Sequence, residues 1–171
     1  MSRLINALLR VYLSGWIVCP AVCCAAEALG PEATVVSFNQ TITSRDTDKL
    51  GGHFANGGVQ FTLRPSHKGL ATQGLTADLG QHWSTIAPVL FAATSSYTRE
   101  AEILESRVQG DIATVWARIS TETVPVSSEE RTSETFTEVY LLLNTGSGWK
   151  IFGMADNRPA DDIGLAAPDQ S

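Results

Sequence analysis

Apolar residues recur at three- and four-residue steps in the early part of the chain and at every second residue through most of the later part. This predicts helices first and a sheet afterwards. Val35, Phe38 and Ile42, with Val36 beside them, make one buried stripe opposite Ser37, Gln40 and Thr41. Gly30-Pro31-Glu32 opens this helix, because proline at the first helical position forfeits no hydrogen bond and an acid in the first turn suits the helix dipole. A short second helix follows, capped by Asp46, pinned by Leu50 and Phe54, and ended by the glycines at 51, 52, 57 and 58. Those glycines are turn punctuation and not a phosphate loop, since no strand precedes them and no Lys-Ser/Thr follows. Val59, Phe61 and Leu63 then alternate with polar residues as a strand that Pro65 stops, and 66–74 reads as a polar loop.

A long helix is predicted from Thr76 as its cap, with Leu75, Leu79, Trp83 or His82, Ile86 and Leu90 on one side and Pro88 ending or kinking it. Strands follow over 100–109 and 112–124, joined by Gly110-Asp111. A second hairpin joins 134–143 to 149–156 across Thr145-Gly146-Ser147-Gly148. This order describes an α+β domain whose curved sheet wraps around helices.

The first 28 residues stand apart. Arg3 and Arg10 precede the apolar run 11–18, and small residues end at Ala26-Glu27-Ala28, the order of a secretory signal peptide with an A-x-A cleavage site before Leu29. Gly15 and Pro20 interrupt a stretch already shorter than the ~20 apolar residues of a membrane span. Cys19, Cys23 and Cys24 all lie in this segment, so processing removes every thiol, and with it any disulfide or cysteine-held metal. The expected organisation is a signal peptide over 1–28, one domain over 29–158 and a mobile tail over 159–171. The mature protein would then be exported, periplasmic or secreted, with no membrane attachment.

The chain carries 18 Asp and Glu against 12 Lys and Arg, a formal charge of -6, and has no basic run. That balance excludes a surface that gains affinity by neutralising phosphates, and nucleic acid with it.

Gly110-Asp111-Ile112-Ala113-Thr114-Val115-Trp116-Ala117-Arg118, Thr137-Glu138-Val139-Tyr140-Leu141-Leu142-Leu143 and Gly148-Trp149-Lys150-Ile151 resemble the C-terminal hairpins of the nuclear transport factor 2-like superfamily. More narrowly, they are similar to its SnoaL-like and lumazine-binding-type bacterial members. The resemblance covers 31–158. It implies a cone-shaped half-barrel, a curved mixed or antiparallel sheet around about three N-terminal helices, with an apolar pocket at its open end. Members use that pocket as dehydratases, isomerases or cyclases, as passive ligand sites, or not at all, and many pair through the outer sheet face. The fold alone names no single function.

Within that frame a few residues carry candidate chemistry. His53, His67 and His82 lack the short spacing of metal ligands, and no metal or cofactor is implied; His53 and His67 are expected to be exposed. His82 lies on the long helix beside the buried stripe. It is either a general base in the cone or, with Trp83 inward, a residue of the helix margin. Glu134, Phe136, Glu138 and Tyr140 share one strand face. Glu138 is a general base if buried between the two aromatics, with Tyr140 donating to a developing oxyanion, or an exposed acid opposite Arg118. Phe61, Trp83 and Phe136, with Glu138 and Tyr140, are the candidate ligand-binding side chains. Ala113, Val115, Ala117 and Ile119 form the apolar face of their strand, which leaves Trp116 and Arg118 either for a homodimer interface on the outer face or, if the strand bulges, for the pocket mouth. Trp149 and Ile151 read as core, no nucleophile motif is present, and Asn39-Gln40-Thr41 is a glycosylation sequon inside a helix.

The reading that follows is an exported protein holding a small apolar or aromatic molecule in its cone without covalent chemistry. The alternatives are a cofactor-free SnoaL-like dehydratase, isomerase or cyclase using His82 or Glu138, and a homodimeric interaction module with a filled pocket.

Overall fold

A computed structural model describes residues 29–66 and 69–158, with the backbone alone over 61–66 and 69–77. The leading segment 1–28, His67 and the tail 159–171 therefore lie outside the described residues. Helix α1 (Pro31–Thr43) buries Val35, Phe38 and Ile42 completely, as the three- and four-residue spacing requires. It also buries Thr34, Asn39 and Thr41, which makes its enclosed face wider than a single stripe. Thr41, placed by sequence on the polar back, survives burial because its hydroxyl donates to the Ser37 carbonyl at 2.8 Å.

Helix α2 (Thr47–Leu50) is capped by Asp46, whose carboxylate accepts from the Lys49 amide, and a 3-10 turn over Gly51–His53 leads into the sheet. Strand β1 (Phe54–Ser66) begins before the glycines at 57 and 58, so these lie in a strand and do not end a helix. Gly57 has φ of 74°, and the pairing with the neighbouring strand shifts register between Phe54 and Val59. The glycines thus form a bulge. Gly58 is also a close approach, because a Cβ there would lie 3.0 Å from the Phe152 carbonyl and 3.2 Å from Leu79.

Pro65 does not stop β1. Pairing with the parallel strand formed by 149–156 ends at Thr62, so beyond it β1 has a partner on one side only, and a missing N–H is tolerated there. Strand β2 (Gly69–Ala77) begins inside the expected polar loop and runs past its end, antiparallel to β1 with Leu70 opposite Pro65 and Thr76 opposite Gln60. Its composition gives no clear alternation, and backbone pairing alone makes it a strand.

Helix α3 (Leu79–Ala93) consequently starts later than expected. Asp78, not Thr76, is its cap: the residue sits in the left-handed region at φ 64° and its carboxylate accepts from the Gln81 amide at 3.0 Å. Pro88 is accommodated inside the helix on its exposed side, as is Ser84, the residue whose carbonyl loses its helical donor.

Strand β3 (Thr94–Gln109) begins six residues before the expected start. Arg45, left-handed just beyond α1, donates to the carbonyls of Phe91 at 3.1 Å and Thr94 at 2.9 Å, tying the end of α3 to the start of β3. Strands β4 (Ile112–Pro125), β5 (Thr132–Asn144) and β6 (Trp149–Asp156) complete a six-stranded sheet in the order β2-β1-β6-β5-β4-β3. Only β1 and β6 are parallel, so the sheet is mixed. Its concave face closes on α1 and α3. Among the described residues no helix is long and apolar enough to cross a membrane.

Candidate functional site

Alternation along β5 turns Phe136, Glu138, Tyr140 and Leu142 inward, all buried. On β4 the inward set is Ala113, Val115, Ala117 and Ile119, also buried. Tyr97 and Arg99 do the same on β3, and Arg99 is 2% exposed. The edge of β3 at Arg99 is covered by Thr43 of α1, whose hydroxyl accepts from the Arg99 amide at 2.8 Å and donates to its carbonyl at 2.9 Å.

These positions bring four polar side chains together in the cone. The Arg99 guanidinium donates to a Glu138 oxygen, and the Tyr140 hydroxyl donates to the same oxygen. Arg99 Nε also donates to Asn39 Oδ1 at 2.5 Å, and Asn39 Nδ2 donates to the Tyr140 hydroxyl at 3.2 Å and to the Val35 carbonyl at 2.8 Å. Burial opposes the charge of Arg99 more than any one neighbour supports it, but Glu138, Tyr140 and Tyr97 together hold its pKa above the ordinary value. Burial, reinforced by the negative Glu138, raises the Tyr140 hydroxyl well above the usual phenol range. The Arg99–Glu138 ion pair is thus closed off by a phenol held in its neutral form.

Beside this network Phe38 is the centre of an aromatic cluster. Its ring meets Phe54 and Trp83 edge-on at 5.3 Å, His53 at 5.9 Å and Tyr140 at 6.3 Å. Phe136 is covered by two guanidinium groups, Arg158 at 4.1 Å and Arg99 at 5.4 Å from its ring centre. The side-chain amide of Gln60 donates to Asp156 at 3.4 Å. Among the described residues four side-chain polar atoms are buried without a hydrogen-bond partner: Trp83 Nε1 on α3, Gln60 Oε1 on β1, Ser106 Oγ on β3 and Arg158 Nε.

Solved structures show the same arrangement of helices and sheet. A nuclear transport factor 2-like superfamily protein from Salmonella enterica serovar Typhimurium, 17% identical, superposes with a TM-score of 0.55 over 78% of this chain and 92% of its own. A ketosteroid isomerase-like protein from Erwinia carotovora atroseptica, 18% identical, gives 0.57 over 74% and 91%. The chain has the nuclear transport factor 2-like fold. A conserved protein from Planctomyces limnophilus, 10% identical, gives 0.62 over 75% and 91%. No protein-family model and no curated protein matches the sequence.

Within the nuclear transport factor 2-like cone the sequence candidates separate. Glu138 and Tyr140 meet, but not opposite Arg118. Arg118 projects from the outer face and pairs with Glu102 at 2.6 Å, whereas Glu138, one register position away, faces the interior and pairs with Arg99. Trp83 faces the core at 6% exposure. His82 is half-buried beside it, burial lowers its pKa, and among the described residues no hydrogen bond joins it to a carboxylate. Phe61 lies in β1 opposite Leu75 and Ala155, its side chain outside the described atoms.

His53 is not exposed. It is half-buried, with Nε2 2.9 Å from the Thr41 hydroxyl, because the 3-10 turn lays it against α1. The sequon residue Asn39 is buried and its amide is committed to the network. Ile151 is buried and Trp149 packs half-buried against the core. Among the described residues no three His, Cys, Asp or Glu side chains converge as metal ligands do. Sequence reading singled out Asn39 only as part of a sequon, and Arg99 not at all. The one available signal was an arginine two residues after Tyr97 on an inward-facing parity, in a strand whose beginning was placed too late.

Proposed function

We propose that the protein is an exported, non-catalytic binding protein whose cone takes a small, largely apolar molecule bearing one hydrogen-bond acceptor and one donor. The observation that carries this reading is the pair of unmet buried polar atoms, Trp83 Nε1 and Gln60 Oε1, on elements α3 and β1 that pack together. Leaving such atoms unpaired costs about 1–3 kcal/mol each, and a ligand that accepts from the indole and donates to the amide oxygen removes that cost. Binding without chemistry is favoured because the acid hydrogen-bonded to Tyr140 is already spent: Glu138 holds Arg99, and the Tyr140 hydroxyl that an oxyanion would need donates to Glu138.

Native mass spectrometry of the protein purified from its own host tests this. The expected result is a retained small molecule that is lost from Trp83→Phe while the far-ultraviolet spectrum is unchanged. A bare wild-type mass, together with a Trp83→Phe variant at least as stable as wild type, would overturn it.

A second observation favours self-association as well. On the outer sheet face Ile112 (51% exposed) lies opposite Leu143, and Trp116 (46% exposed) lies opposite Val139, with Leu141 between them, so apolar side chains of β4 and β5 form one continuous strip. The Arg118–Glu102 pair borders it. Two copies joined across this face would bury the strip. Sedimentation at micromolar concentration should give a dimer that Trp116→Glu converts to monomer; a wild-type monomer would sink this reading and leave the binding proposal standing.

A further inference from the structure

Outside the cone, the start of α1, the 3-10 turn and the β5–β6 turn enclose a hollow of about 240 Å³ lined by Leu29, Thr34, His53, Trp149 and Lys150, among others. We infer that this hollow is a second binding site, for a small organic monocarboxylate with a short apolar or aromatic body.

The charge is set by Lys150. Its ammonium donates to the Gly52 carbonyl at the rim, and among the described residues no carboxylate forms an ion pair with it. An ammonium has three donors, so further ones remain for a ligand. In a chain of formal charge -6, an unneutralised lysine beside a histidine is a local reversal of sign.

His53 supplies direction. The Thr41 hydroxyl already donates to the Ser37 carbonyl, so towards His53 it can only accept, and Nε2 carries the proton of the neutral ring. That leaves Nδ1 as the nitrogen without a described partner. A bound carboxylate would let Nδ1 take up a proton and donate, adding a second charge to that of Lys150. The neighbouring acid, Glu32 in the first turn of α1, lies by the Ser106 hydroxyl of β3, which holds its carboxyl below the usual range.

Size and body follow from the walls. Drug-sized ligands occupy about 300–1,000 Å³, so this hollow suits something smaller. Trp149 and Leu29 give an apolar flank for it, while the absence of an arginine fork argues for a single carboxylate over a phosphate.

Benzoate is the probe, with acetate and inorganic phosphate as comparators, read by the His53 ring protons in nuclear magnetic resonance and by tryptophan fluorescence. The expected result is saturable binding of benzoate, stronger than acetate or phosphate, weakened about tenfold or more in Lys150→Gln and kept in Lys150→Arg. Trp83→Phe, which tests the cone, should leave it unchanged. No saturable shift, equal binding of phosphate, or undiminished binding in Lys150→Gln would each overturn the inference.

Discussion

Arg99 and Glu138 form their ion pair across an intervening strand: one projects from β3, the other from β5, and β4 lies between them. Strands separated by one neighbour lie about 9–10 Å apart, a gap that the long arginine side chain closes. On β4, Ala117 stands opposite Glu138 and Thr121 opposite Arg99, with Ile119 between them. Both side chains are buried, so each depends on the other and on Asn39 and Tyr140 for what water would otherwise supply.

Removing one partner should therefore cost far more than removing both. Glu138→Gln leaves Arg99 buried without its counter-charge and is expected to destabilise by about 3–5 kcal/mol. Arg99→Met with Glu138→Leu should recover most of that loss. Urea unfolding of the two variants checks it; equal loss in both would show that the pair acts through packing and not charge.

Tyr140 should resist ionisation. Burial and the adjacent carboxylate raise its hydroxyl, so an ultraviolet titration of the folded protein should detect no Tyr140 phenolate until the chain unfolds in alkali. Tyr140→Phe removes a donor from Glu138 and should cost about 1–3 kcal/mol. A Tyr140 phenolate forming near pH 10 in folded protein would contradict the geometry.

Acid should loosen the fold through His53 before the carboxylates titrate. Burial first, and Lys150 second, hold its folded pKa below the unfolded value of about 6.5. The unfolded chain then binds the proton more readily, so this contribution to stability is complete above about pH 6.5 and is lost as pH falls through the folded pKa. The expected outcome is a melting temperature that drops from pH 7.5 to about 5.5 and drops less in His53→Gln. His82, whose pKa burial also lowers, accounts for part of the remainder.

Gly58 should not tolerate a side chain. The 3.0 Å approach of a Cβ to the Phe152 carbonyl is against backbone, which cannot rotate away as a side chain can. Gly58→Ala is expected to destabilise by about 1–3 kcal/mol, whereas Gly51→Ala, with open space around its Cβ position, should change little. Comparative thermal melts decide it.

Much of this architecture is legible along the chain because it is local. The shared face of Glu138 and Tyr140, the apolar face from Ala113 to Ile119 and the stripe of α1 each follow from a two- or 3.6-residue period, which any strand or amphipathic helix imposes on its own residues. Strand β2 was not legible, since its residues carry little alternation and only pairing with β1 defines it. Asp78 was not legible either, because a cap reached through a left-handed residue breaks the period on which the reading relied.

The sequence by itself determined that a sheet would close on helices, that the apolar face of β4 would look inward, and that Glu138 and Tyr140 would share one face of β5. Tertiary structure alone decided that Glu138 meets Arg99 and not Arg118, and that Lys150 and His53 share a hollow. Side-chain period reports the direction of a residue but not what the rest of the chain, folded over tens of positions, brings to that direction.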